Sequence, residues 1–211
     1  MTVSTVNLPG SIDTGNFLML FSTDHFSICD KLIDLWKTSG EKNPGWVGAG
    51  YRPEIKDSTD VCIPYDSLSG SILQEYCDNI LQPCVDLYID RFPECNTGEP
   101  WSVIEQVNIQ HYSPGGGFKG WHSERTVSRP PFSKRHLVFM TYLNDVYSGA
   151  DYNGGTEWLH QKIKIKAQKG YTAIWPVDWT YTHRSIVSPD QDKYIITGWF
   201  SYYFNDKGNG K

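Results

Sequence analysis

Near residue 100 the hydrophobic period of the chain changes from that of a helix to that of a strand, and any fold must accommodate both halves. In "TDHFSICDKLIDLWK", Phe26, Cys29, Ile33 and Trp36 recur at helical spacing behind a possible cap, Thr23. "DSLSGSILQEYCDNILQPCVDLYI" repeats the pattern with Ile72, Leu73, Tyr76, Ile80 and Cys84, and Pro83 predicts a kink. The Gly-, Pro- and charge-rich "EKNPGWVGAGYRPEIKDSTD" between them reads as a long loop with a short strand. After residue 100, "SVIEQVNIQHY", "RHLVFMTYLN", "QKIKIKAQ", "GYTAIW" and "KYIITGWFSYYF" alternate with period two between Gly, Pro, Asn and Asp clusters. The pattern predicts an α+β protein, mainly β: an antiparallel sandwich whose outer face is covered by the amphipathic N-terminal helices. With 211 residues, 39% of them hydrophobic, one domain can bury a substantial core.

A net charge of -5 supplies no field for a polyanion, so neither nucleic acid nor an anionic membrane surface is the expected partner. No segment has the basic start and apolar run of a signal peptide, or the roughly 20 apolar residues of a membrane span. A cytoplasmic protein is expected. The five cysteines, Cys29, Cys62, Cys77, Cys84 and Cys95, are odd in number and form no CxxC pair, which predicts reduced thiols.

The polar residues of the β half carry the chemistry. In "GWHSERT", His122 and Glu124 stand two apart, and on a strand both would project to one side. His183, in "WTYTHRSIV", is the best third member. Two histidines and one carboxylate on one side of a metal leave positions open for a co-substrate and O2, as Fe(II) oxygenases require; alone, the same residues also read as a polar strand end. In "KYIITGWFSYY" the alternation places Lys193, Ile195, Thr197 and Trp199 on one face. A lysine among inward-facing apolar neighbours needs an anion. With Thr197, and with Tyr142 from "FMTYLND", it would bind a carboxylate through charge-assisted bonds. His25, His136 and His160 sit in helix or strand patterns without paired carboxylates, His111 faces away from Tyr112 by parity, the alternating lysines of "QKIKIKAQK" read as a solvated strand face, and Trp158, Trp175 and Trp179 read as core. Trp121, beside His122, is placed to line a pocket.

The order and spacing of "YSPGGGFKGWHSE", "RHLVFMTYLND", "GGTEW" and "HRSIVSPDQDKYIITGW" resemble the Fe(II)- and 2-oxoglutarate-dependent dioxygenases of the prolyl 4-hydroxylase type, over nearly half the chain. The resemblance implies a double-stranded β-helix, or jelly roll, over 101–205, with 1–100 as helical support, in a single domain 1–211. It implies that His122, Glu124 and His183 are iron ligands, that Lys193, Tyr142 and Thr197 bind 2-oxoglutarate, and that Arg135, Trp199 and Tyr112 lie at the substrate. The implied reaction consumes 2-oxoglutarate and O2, with ascorbate as a possible reductant. It releases succinate and CO2 and hydroxylates a C–H bond, most simply that of a prolyl residue in a polypeptide. Hydroxylation of a free amino acid or other small molecule, nucleobase demethylation and a non-catalytic jelly roll are the alternatives. Three features depart from the family pattern: Glu124 stands where aspartate is usual, Lys119 stands where a second tyrosine is common, and strand parity puts Arg135 and Tyr142 on opposite faces unless a bulge intervenes.

Overall fold

The fold was analysed in a computed structural model that describes residues 4–5, 16–48, 50–67, 71–147 and 152–203. The β-rich runs form two sheets. In the larger one, Val107–Tyr112, Lys193–Tyr202, Arg135–Tyr142, Tyr171–Pro176 and Met19–Ser22 lie side by side, all antiparallel, and Thr59–Ile63 extends it beyond Val107–Tyr112. The smaller sheet pairs Thr156–Trp158 with Ile163–Ile165 on one side and His183–Ser185 on the other.

Alternation along the strands fills two separate cores. One face of the large sheet, with Leu137, Phe139, Ile174, Ile196 and Phe200, packs on helical residues such as Leu32, Tyr76, Ile80 and Cys84. The opposite face, with Val138, Met140, Tyr142, Trp175 and Ile195, packs on Trp158, Ile163 and Ile165 of the small sheet. Arg135–Tyr142 is covered on both faces, which explains why "RHLVFMTY" is a nearly continuous apolar run. The result is a jelly roll with helices on its outer face. In Ile163–Ile165 the isoleucines are buried and Lys164 is exposed.

The first helix, Phe26–Thr38, buries Ile28, Cys29, Leu32, Ile33 and Trp36. Phe26, expected on that stripe, is instead 46% exposed at the helix's first residue, with Lys169 Nζ 5.6 Å over its ring. The cap begins at His25, and Thr23 contributes by accepting the His25 N–H. The second helical segment is interrupted by a π turn, Cys77–Leu81, one turn ahead of Pro83, with the Gln82 N–H bonded to the Cys77 carbonyl. Proline has no N–H to return to residue 79 and its ring crowds that carbonyl, so the backbone widens there. All five cysteines are unpaired, and burial pushes the Cys84 thiol up to about 12. Among the described residues no helix is long and apolar enough to cross a membrane.

Gly155 shows how closely the small sheet is fitted. A Cβ there would lie 2.0 Å from the Ile165 carbonyl oxygen and 2.8 Å from that of Tyr152. Since both obstacles are backbone, Gly155→Ala must push Thr156–Trp158 away from its neighbour. The expected cost is about 1–3 kcal/mol, read as a lowered denaturation midpoint. A variant as stable as the parent would show that this approach is not tight in solution.

Candidate metal and co-substrate site

Both histidines sit where the two ends of the β region meet. His122 is joined to His183 by a two-bond bridge, His122 N to His183 O at 3.0 Å and His183 N to His122 O at 2.9 Å. His183 opens the strand His183–Ser185 of the small sheet. Glu124 departs from the expected strand geometry. It lies in irregular backbone, fixed by its N–H to the Val177 carbonyl at 3.1 Å, and reaches the histidines through its longer side chain rather than through strand alternation.

Three donor atoms, one from each of His122, Glu124 and His183, lie within 4.8 Å of one another. Glu124 Oε1 is 3.5 Å from Nε2 of each histidine. The remaining ring nitrogens are both engaged: His122 Nδ1 lies 3.0 Å from the Gly120 carbonyl and His183 Nδ1 2.9 Å from that of Tyr181. A carbonyl only accepts, so Nδ1 carries a proton, and it is the Nε2 atoms that face Oε1 and are free to turn lone pairs to a metal placed among the three. Phe118 stacks on His122, centroids 3.5 Å apart and 7° from parallel, while Trp158 and Trp175 flank His183.

Protonation agrees with a ligand set. Burial raises the Glu124 carboxyl, yet the His122 contact and the charges of His122, His183 and Arg135 outweigh this and hold it down at about 2. Burial, with the His122 charge, pushes His183 down to about 3. At neutral pH Glu124 is ionised and His183 neutral, the states in which both donate lone pairs. Two imidazoles and a carboxylate on one side of a point fit a divalent iron.

The three side chains line a cavity of about 1150 Å³ that also contains Lys193, Ile195, Thr197 and Trp199, as the parity of the last strand predicts. Lys193 is 4% exposed, donates to the Ser185 hydroxyl and lies with Nζ 4.5 Å over the Tyr112 ring. Among the described residues no carboxylate pairs with it, and burial lowers its ammonium to about 7. Thr197 donates to the Phe139 carbonyl at 2.8 Å. Tyr142, expected beside Lys193, is wholly buried, with its hydroxyl 2.7 Å from Thr156 Oγ1; Thr156 lines the cavity and Tyr142 does not.

Arg135, Trp199 and Tyr112, expected at the substrate, line the same cavity, but each is already engaged. Tyr112 donates to Gln110 at 2.7 Å, in a buried chain in which Gln110 and Lys56 both bond Asp60. A register shift between Arg135 and Leu137 is the bulge that returns Arg135 to the cavity face. Its guanidinium grips Glu105 through Nε and Nη2 and stacks 3.4 Å over the Trp199 ring.

Ser185 and Thr156 were not singled out in the sequence. Ser185 was within reach of it, two residues beyond His183 on the same strand face. Lys56 and Asp60 lie at the end of the stretch expected to be a long loop with a short strand, and fall in the strands Lys56–Asp57 and Thr59–Ile63. Trp121 does line the cavity, under the Arg184 guanidinium at 4.3 Å. His111 is turned away, paired with Asp192 at 2.6 Å.

An antiparallel jelly roll with two histidines and an acid converging inside it is an arrangement that could hold a divalent metal. Residues 107–201 match the profile of the 2OG-Fe(II) oxygenase superfamily. That match spans a little under half of the chain, and over most of its length the chain is prolyl 4-hydroxylase-like in fold. Among solved structures it is similar to a Trichoplax adhaerens prolyl hydroxylase in complex with a hypoxia inducible factor peptide fragment, with TM-score 0.69 and 18% identity over 89% of this chain and 84% of that one. A Pseudomonas putida prolyl-4-hydroxylase gives TM-score 0.64 and 15% identity over 89% and 94%. The 2OG complex of a viral collagen prolyl hydroxylase from Paramecium Bursaria Chlorella virus-1 gives 0.61 and 17% over 90% and 98%. No curated protein shows a significant match.

Proposed function

We propose that the protein is an Fe(II)- and 2-oxoglutarate-dependent hydroxylase acting on a polypeptide, most simply at a prolyl residue, with succinate and CO2 as co-products. In this reading the described chain works as one domain, the helices supporting the β core. The observation that carries it is the pairing, in one cavity, of the His122–Glu124–His183 set with a buried lysine that no described carboxylate meets. Lys193 bonds Ser185, and Ser185 shares a strand face with His183. Residues two apart on a strand are about 6.6 Å apart, comparable to the span of a five-carbon diacid. One carboxylate would therefore meet Lys193 and the Ser185 hydroxyl while the other end of the molecule faces the triad.

When bound, iron supplies the O2 chemistry and 2-oxoglutarate the electrons. The chain's own work is placement. His122, Glu124 and His183 hold the metal from one side and leave the other open. Lys193 neutralises the far carboxylate, and Ile195, Met140 and Trp175 line the site with apolar surface that keeps water from it.

At the mouth, Trp46 and Trp121 line the cavity and are 64% and 39% exposed. Exposed aromatic faces suit an extended proline-containing segment. The test is mass spectrometry of a proline-containing peptide library incubated with Fe(II), 2-oxoglutarate and ascorbate. A gain of one oxygen on proline, diminished in Trp46→Ala and Trp121→Ala, is the expected result. Hydroxylation of a free amino acid with no peptide modified would overturn the polypeptide assignment.

The lysine also predicts a pH signature. Below about 7 the free protein already carries the Lys193 charge, and binding a carboxylate moves no proton there. Above that, the free amine is neutral while the bound state favours the ammonium, so binding takes up a proton. Co-substrate affinity should fall with rising pH, by up to about tenfold per unit. Calorimetry at pH 8 in buffers of different ionisation heat should record this uptake in the wild type and its loss in Lys193→Met. No uptake in the wild type would contradict the assignment.

A further inference from the structure

The carboxylate of Glu124 is gripped from behind. Its two oxygens have different surroundings: Oε1 faces both histidines, whereas Oε2 accepts the Trp199 indole N–H at 3.0 Å and lies 3.7 Å from Arg135 Nη1. Arg135 Nη1 also donates to the Glu124 backbone carbonyl at 3.1 Å. Arg135 is itself immobilised. Glu105 takes its Nε and Nη2, the Ser201 hydroxyl donates to the same carboxylate at 2.7 Å, and the guanidinium stacks on the Trp199 ring. Trp199 and Ser201 stand two apart on the last strand. The bulge after Arg135 brings the arginine to them.

We propose that Trp199 and Arg135, anchored by Glu105, are positioning residues that hold Glu124 Oε2 and present Oε1 alone to the metal. The inference rests on the metal-site reading above and goes beyond it, because both residues match family positions expected at the substrate. Glutamate has more side-chain torsions than aspartate, and here it springs from irregular backbone. Fixing those torsions in advance removes an ordering cost from metal binding. Holding Oε2 also prevents the carboxylate from chelating through both oxygens, which would fill a position that the co-substrate and O2 need. This arrangement explains how glutamate serves where the shorter acid is usual.

The test is Mn(II) binding to the full chain, followed by calorimetry and by the Mn(II) paramagnetic resonance spectrum, with no peptide present. Trp199→Phe keeps a ring over Arg135 and removes the indole N–H. It should weaken Mn(II) binding by about 10–100-fold and alter the spectrum, with the thermal transition retained. Glu124→Asp, whose carboxylate cannot span both partners, should weaken binding similarly, and it carries the test alone if Trp199→Phe does not fold. In the double variant the two losses should not add, because the aspartate has already lost the indole contact; a merely structural role for Trp199 gives additive losses. Wild-type binding that Trp199→Phe leaves unchanged, tighter binding by Glu124→Asp, or additive losses would each overturn the inference. Absence of Mn(II) binding by the wild type would instead overturn the metal-site reading on which it stands.

Discussion

Replacing His183 with alanine should abolish stoichiometric divalent-metal binding while leaving a folded protein. Among the described residues His183 supplies one of the three side-chain donors of the proposed site, and its Nε2 is aimed by the Nδ1 bond to the Tyr181 carbonyl and by the flanking tryptophans. Two remaining donors give the metal no closed face. The alanine also leaves a void between Trp158 and Trp175, so some loss of stability is expected, on the scale of a buried large-to-small substitution, about 2–5 kcal/mol. The control is His111→Ala, since His111 pairs with Asp192 away from the triad. Metal analysis after dialysis should show one equivalent in the wild type and in His111→Ala and none in His183→Ala. One equivalent retained by His183→Ala would remove His183 from the site.

The second large effect is expected at Lys193. Lys193→Met keeps the chain length and deletes the charge, so a charge-assisted bond worth roughly 1.5–3 kcal/mol should be lost. That weakens 2-oxoglutarate binding by about one to two powers of ten. Stability should respond differently. No carboxylate of the described residues pairs with the buried lysine, and burial holds its ammonium down at about 7, so methionine removes a desolvated amine and should not lower the melting temperature. Calorimetry with Mn(II) in place of iron separates the two effects. Co-substrate affinity unchanged in Lys193→Met would place the far carboxylate elsewhere.

How much of this was legible in the sequence depends on how local the cause is. The helical and strand halves, the two faces of Lys193–Tyr202 and the buried Arg135–Tyr142 follow from periodicity, because the pleat fixes side-chain direction at every second residue. The same rule found His122 and Glu124 together, although Glu124 is not in a strand. Its place is set by Val177, Trp199 and Arg135, all distant in sequence. Parity pointed Arg135 away from the cavity, and one bulge reverses it; a single inserted residue changes every face upstream and leaves no mark in composition. Phe26 satisfied the helical stripe but stands exposed at the helix's first residue, while Leu32 occupies the buried face. The chain of Lys56, Asp60, Gln110 and Tyr112 depends on Thr59–Ile63 pairing with Val107–Tyr112, a non-local register that a loop-like composition does not announce.

The central claim, that this cavity joins iron to 2-oxoglutarate for oxygenase chemistry, is tested most directly by succinate formation from 2-oxoglutarate by purified protein as Fe(II) is added. The account predicts turnover that requires Fe(II), saturates near one equivalent, rises when a suitable peptide is present and disappears in His183→Ala. Absence of succinate at saturating Fe(II), 2-oxoglutarate and O2, with and without peptide, from a folded protein that binds both metal and 2-oxoglutarate, would contradict it.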